Sequence, residues 1–143
     1  MKNFFNPEES SKIVEAIARA EKNTSGEIRV HLAGKVKGEV LSAAIRTFGQ
    51  LGMHQTALRN GILIFLVPSQ KVFAIYGDKG INEKVPPNFW KEERDLLYQF
   101  FKEGKYTDGI CEVIQQVGEK LKLFFPIQVD DKNELSNEIS FDA

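Results

Sequence analysis

The sequence predicts a single α/β domain in which a mixed β-sheet is sandwiched between α-helices. Apolar residues recur at helical spacing in four separate segments. One run, Ile62-Leu63-Ile64-Phe65-Leu66-Val67, is apolar without a break, the pattern of a strand covered on both faces. The links between strands change from a helical crossover to the short turn Pro68-Ser69-Gln70, so one strand pair is parallel and another antiparallel. A chain of 143 residues buries roughly two thirds of its extended surface on folding, which is enough for one core.

The elements follow in order. Pro7-Glu8-Glu9 reads as a helix start with acids in its first turn, and Ile13, Ile17 and Ala20 carry the helix to Lys22. Asn23-Thr24-Ser25-Gly26 is turn chemistry. From Glu27 to Ala33 the chain alternates, with Ile28, Val30 and Leu32 on one face and Glu27, Arg29 and His31 on the other. This is a half-buried strand, or one whose second face carries a polar site. From Glu39, the residues Val40, Leu41, Ala44, Ile45, Phe48 and Leu51 mark a crossover helix ending near Gly52. Asn60-Gly61 precedes the apolar strand, and Lys71 to Gly77 forms a hairpin with it. Asp78-Lys79-Gly80 is expected to be a turn. Val85-Pro86-Pro87 leads into a helix anchored by Phe89, Trp90, Leu97, Phe100 and Phe101 and stopped by Gly104. Thr107 or Asp108 is expected to cap the last helix, which Pro126 ends. The domain thus spans residues 1–126. Residues 127–143 form an acidic C-terminal tail, with Asp130, Asp131, Glu134, Glu138 and Asp142 against Lys132 alone, a composition usual for mobile tails.

Composition excludes several classes. With 19 Lys+Arg against 20 Asp+Glu the formal charge is −1, which argues against a general nucleic-acid binder. The N-terminus turns polar after Phe4-Phe5, unlike an export signal, and no apolar run approaches the roughly 18 residues that span a bilayer. One cysteine cannot form an internal disulfide, so a reduced, cytoplasmic protein without membrane insertion is expected.

Familiar catalytic signatures fail. Six residues after Cys111 stands Val117 rather than the arginine of a Cys-x5-Arg phosphatase loop, and Cys111 lies near an apolar helix face. The chain lacks a phosphate-binding Gly-x-x-x-x-Gly-Lys-Ser/Thr loop, a Gly-x-Ser-x-Gly elbow and a His-Glu-x-x-His pair. Neither His31 nor His54 has a metal-ligand neighbour two or four residues further along the chain. The candidates left are oxygen donors at element ends: Glu27, Asn60 and Asp78. Loops at sheet ends converge, and calcium takes about six to eight oxygens from carboxylates, amides, carbonyls and water. The alternative is that Glu27 and Asp78 are solvated turn residues and Asn60 holds a left-handed backbone. Spacing alone favours that alternative.

Several segments together resemble one family. Thr24-Ser25-Gly26-Glu27-Ile28-Arg29-Val30, Phe48-x-x-Leu51-Gly52-Met53-x-x-Thr56, Arg59-Asn60-Gly61-Ile62-Leu63-Ile64, Gly77-Asp78-Lys79-Gly80-Ile81-Asn82, Phe89-Trp90, Phe101-x-x-Gly104-x-Tyr106-x-x-Gly109-Ile110 and Phe125-Pro126 resemble the TPM domain family. Its name joins a thylakoid lumen phosphatase, a photosystem II repair protein and a nematode acetylcholine-receptor modulator. The likeness covers residues 8 to 126. The ending Asn133-Glu134-Leu135-x-Asn137-Glu138-Ile139-Ser140 resembles that of small, leaderless bacterial members. The resemblance implies a helix-covered sheet, divalent-cation binding in some members and phosphatase activity in plant relatives. It raises Glu27, Asn60 and Asp78 as metal ligands, with calcium ahead of magnesium as the ion.

Many members carry an aspartate where this chain has Arg59, and an acid where it has Asn88. Two fewer negative charges weaken a calcium site, while Arg59 is free to clamp a phosphate or to pair with Glu27 or Asp78. Three functions follow as expectations. The first is a cation-binding accessory or interaction module. The second is a metal-assisted phosphatase of low activity that lacks an evident nucleophile. The third is a metal-independent adaptor offering Trp90 and the acidic tail to a protein partner.

Overall fold

The computed structural model describes residues 4–127 and 134–142. Its elements run α1 (Pro7–Glu21), β1 (Glu27–Leu32), α2 (Val40–Gln50), β2 (Gly61–Val67), β3 (Val72–Gly77), α3 (Lys79–Asn82), α4 (Lys91–Lys102), α5 (Tyr106–Phe124) and β4 (Ser140–Phe141). Short 3₁₀ turns occur at Met53–Gln55 and Pro68–Gln70. No helix among the described residues is long and apolar enough to cross a membrane.

The sheet has the order β3-β2-β1-β4. β1 pairs in parallel with β2, with Glu27 opposite Gly61, and β2 pairs antiparallel with β3, with Ile62 opposite Gly77. The crossover helix and the short turn read from the sequence therefore produce the mixed sheet they predict. All seven residues of β2 are buried. Ile62, Ile64 and Leu66 face a core shared with Ile13 and Ile17 of α1, Leu97 of α4 and Val113 and Val117 of α5. Leu63, Phe65 and Val67 face the opposite side, against Ala43, Ala44 and Phe48 of α2. Side chains that alternate across a strand thus make two cores from one apolar run.

Local chemistry explains several boundaries. Asn6 and Glu9 form a reciprocal capping box at the start of α1, with Pro7 at its first position. Gly52, at φ 70°, ends the crossover segment in the left-handed region, as its position after Leu51 suggests.

Other expectations are corrected. Residues 79–82 form a helical turn capped by the Asp78 side chain rather than a simple reverse turn. α4 begins at Lys91, because Asn88 has φ 62° and breaks the helical run before it. Thr107 does not cap α5; its hydroxyl donates to Glu9 Oε2 and ties α5 to the first turn of α1.

The tail also differs from its expectation. Ser140–Phe141 form a strand parallel to β1, in register with His31 and Leu32, so this part of residues 127–143 completes the sheet of the domain. The acidic composition concealed the apolar Ile139 and Phe141, which pack on the core. Asp130, Asp131 and Lys132 lie outside the described residues.

Candidate functional site

The topology brings the three oxygen donors to one end of the sheet. Because β1 and β2 are parallel and β3 returns antiparallel, the start of β1, the start of β2 and the end of β3 are neighbours. Glu27 N donates to Asn60 O at 3.2 Å, and Asp78 N donates to Gly61 O at 2.9 Å. Glu27, Asn60 and Asp78 are each about 98% buried or more, at 2%, 1% and 2% exposure. The solvated-turn alternative for Glu27 and Asp78 is therefore overturned. So is the left-handed backbone for Asn60, since that conformation belongs to its neighbour Arg59, at φ 50°.

The turn before β1 is held by side-chain bonds. The Thr24 hydroxyl donates to Phe125 O and accepts from Gly26 N, and Ser25 N donates to Phe125 O at 2.9 Å. The end of α5 thus fixes the entry into β1. Asn60 then reaches back to this turn: its Nδ2 donates to Ser25 O at 3.2 Å and approaches Ser25 Oγ at 3.3 Å. A carbonyl can only accept, so this contact sets which end of the amide is nitrogen. It leaves Asn60 Oδ1 buried and without a hydrogen-bond partner.

Glu27 has a carboxyl neighbour that the sequence reasoning missed. Glu21, in the last turn of α1, accepts from Ile28 N at 2.8 Å and hydrogen-bonds Glu27. Burial pushes the Glu21 carboxyl up to about 8; Ile28 N–H opposes this, while the charge and hydrogen bond of Glu27 add to it. Burial likewise raises Glu27 to about 7, against backbone donation from Glu134 and with the nearby Glu134 charge. Two buried carboxyls this close resist ionising together. A sequence signal for Glu21 existed, because a carboxylate in the last turn of a helix opposes the helix dipole.

Asp78 is engaged differently. Arg59 Nε donates to its Oδ2 at 2.7 Å and Arg59 Nη2 to its Oδ1 at 2.9 Å, while Lys79 N donates to Oδ1 at 2.7 Å. Of the partners the sequence offered Arg59, the structure shows Asp78, so the guanidinium is spent on a carboxylate rather than open to a phosphate. Gly80 makes this approach feasible: a Cβ there would lie 2.2 Å from Leu58 O and 2.6 Å from Arg59 O. Among the described residues no group of three or more His, Cys, Asp or Glu side chains is arranged to hold a metal ion. Glu21 and Glu27 offer hard carboxyl oxygens at the start of β1, and Asn60, just before the neighbouring β2, offers a hard amide oxygen.

The remaining candidates have structural roles. His31 is buried, with Nδ1 2.8 Å from Ser140 Oγ and Nε2 2.8 Å from Asp142 Oδ1. The residue types are those of a hydrolase triad, but Ser140 is itself buried, and its Oγ also lies 3.3 Å from Val30 O. The other Asp142 oxygen takes Gly34 N at 2.9 Å. The cluster fastens β4 to β1. Burial of Asp142 is outweighed by its bonds from His31 and Gly34, which hold its carboxyl below the usual range. His54 is exposed in a 3₁₀ turn, and the half-buried Cys111 packs on the core, where burial pushes its thiol up. Trp90 is buried in the core rather than displayed to a partner.

Residues 1–120 match the TPM domain family. The chain belongs to the TPM domain family. Its TPM fold is similar to the solution structure of BA42 from the psychrophilic bacterium Bizionia argentinensis, with 44% identity, a TM-score of 0.92 and coverage of 97% of this chain and 96% of that one. The N-terminal domain of the cg2496 protein from Corynebacterium glutamicum has 11% identity and a TM-score of 0.66, over 96% of this chain and 80% of that one. An N-terminal domain from P. gingivalis has 18% identity and a TM-score of 0.67, over 85% and 78%. These last two share the TPM fold alone. No curated protein matches the sequence.

Proposed function

We propose that this TPM domain is a divalent-cation-binding accessory module, with calcium the first ion and magnesium the second. The observation that carries the reading is Asn60 Oδ1, a buried acceptor without a partner whose orientation Ser25 dictates. A buried carbonyl oxygen left unpaired costs about 1–3 kcal/mol, and a hard cation would satisfy it. Beside its strand, Glu27 and Glu21 form a hydrogen-bonded acid pair whose ionisation burial opposes, and a cation would favour both as anionic ligands. Asp78 keeps Arg59 as its counter-ion and contributes a ligand only when that pair opens. Water completes the coordination, since these donors fall short of the six to eight oxygens, or about that number, that calcium takes.

A calcium and magnesium titration of the metal-stripped protein, read by amide NMR shifts and melting temperature, tests this. Saturable shifts at Ile28, Asn60 and Gly61, with a rise in melting temperature, are expected, because a ligand that binds the folded state stabilises it. Glu27→Ala and Asn60→Ala should abolish the shifts, whereas Asp78→Ala should weaken them less. Absence of shifts at millimolar calcium would refute the reading.

A further inference from the structure

The sheet has an open edge at β3, its outermost strand on the side away from β4. In the antiparallel pairing of β3 with β2, the backbone groups of Val72, Ala74 and Tyr76 face β2, a phase fixed by the bond from Asp78 N to Gly61 O in the same register. The N–H and C=O groups of Phe73 and Ile75 therefore point outward, and no group among the described residues bonds them. Of Gly77, the next outward residue, only the carbonyl is taken, by Asn82 Nδ2 at 3.0 Å. Natural sheets guard such an edge with charge, proline or a bulge, yet Val72 to Gly77 contains no charged residue and no proline.

A cavity of about 550 Å³ opens against this edge at Ile75, Tyr76 and Gly77, within the range of about 300–1,000 Å³ usual for binding sites. The loop after α3 also lines it, but Pro86 and Pro87 there have no N–H and cannot complete the ladder themselves. Leu41 of α2, 46% exposed, lines it from one face of the sheet, and Trp90 and Arg94, at the start of α4, from the other. Arg94 is the only charged residue in this lining. It is half-buried, and its guanidinium has no ion pair or hydrogen bond among the described residues.

We propose that the β3 edge takes up an extended peptide of a partner protein as a fifth strand, and that the peptide alternates apolar and acidic side chains. Successive side chains of an added strand point to opposite faces of the sheet. Acidic ones then meet Arg94 on the α4 side, and apolar ones meet Leu41 and Tyr76 on the α2 side. Main-chain bonds to Phe73 and Ile75 supply affinity whatever the sequence, while the guanidinium supplies the selection for a carboxylate.

A hexapeptide alternating valine and glutamate, blocked at both ends and added to the full chain, tests this. Saturable amide shifts at Phe73, Ile75 and Gly77 are expected, with a change in the fluorescence of Trp90, the chain's one tryptophan. Hydrogen exchange at the Phe73 and Ile75 amides should slow by about tenfold or more at saturation, because pairing covers them. Arg94→Gln should weaken binding about tenfold, as the loss of a charge-assisted bond does, and a valine–lysine hexapeptide should not bind. N-methylation of every second peptide amide should abolish binding in one phase and spare it in the other, since only alternate amides of an added strand face β3. Equal binding of the two N-methylated phases would overturn strand addition, and equal binding of the lysine peptide would overturn the acidic partner. Absence of shifts at millimolar peptide would overturn the whole proposal. So would self-association of the chain through Phe73 and Ile75 without peptide, which would assign the edge to a second copy.

Discussion

Thr24 is a direct test of how the site is positioned. It is 1% exposed, and its hydroxyl both donates to Phe125 O and accepts from Gly26 N at 3.0 Å. Thr24→Val keeps the shape and removes both bonds. Phe125 O retains Ser25 N, so that loss costs about 1 kcal/mol, whereas the Gly26 N–H becomes a buried orphan costing about 2 kcal/mol. The added methyl returns about 0.8 kcal/mol, for a net loss of about 2 kcal/mol. Thr24→Ser keeps both bonds and loses one methyl, for about 1 kcal/mol. With an unfolding entropy of about 2.1 cal/mol/K per residue, 143 residues give about 300 cal/mol/K, so each kcal/mol moves the midpoint by about 3 °C. Melting followed by circular dichroism should therefore rank the wild type first, Ser about 3 °C lower and Val about 7 °C lower. Hydrophobicity alone predicts the opposite order for the two variants. A valine variant at or above the serine variant would refute the claim that this hydroxyl anchors the turn before Glu27.

Three further outcomes are expected. Glu21 and Glu27 are raised from 4.5 to about 8 and about 7, so the folded state holds protons that the unfolded state has lost. In chelator, stability should fall as pH rises from about 5 to 8. Glu21→Gln should flatten that slope in urea titrations; an unchanged slope would sink the assignment. Arg59→Ala frees the Asp78 carboxylate for a cation and should tighten calcium binding roughly tenfold by calorimetry, since affinity follows ligand charge; weaker binding would contradict the role given to Arg59. Gly80→Ala forces a Cβ against two backbone carbonyls and should cost about 3 kcal/mol in chemical denaturation, whereas a neutral result would mean that the Leu58-Arg59 segment can move aside.

The site was legible in unequal parts. Glu27, Asn60 and Asp78 stand at element boundaries, and once β1, β2 and β3 are recognised as adjacent, their convergence follows from strand direction alone. What each side chain does there was not legible. Asp78 is neutralised by an arginine 19 residues earlier, and Asn60 is aimed by a serine 35 residues earlier. Glu21 reaches Glu27 only because the turn between them folds the end of α1 back onto β1.

By itself the sequence determined the order of helices and strands, the mixed sheet, the continuous cover on β2 and family membership. Each of these rests on periodicity, turn residues or local motifs, which act over a few residues. The tertiary structure decided the return of Ser140–Phe141 as a fourth strand, the meeting of the Glu21 and Glu27 carboxyls, the orphaned Asn60 oxygen and the pairing of His31 with Ser140 and Asp142. Those depend on burial and on contacts between distant segments. A two-residue strand has no period to read, and a carboxyl's charge state is set by what surrounds it in space.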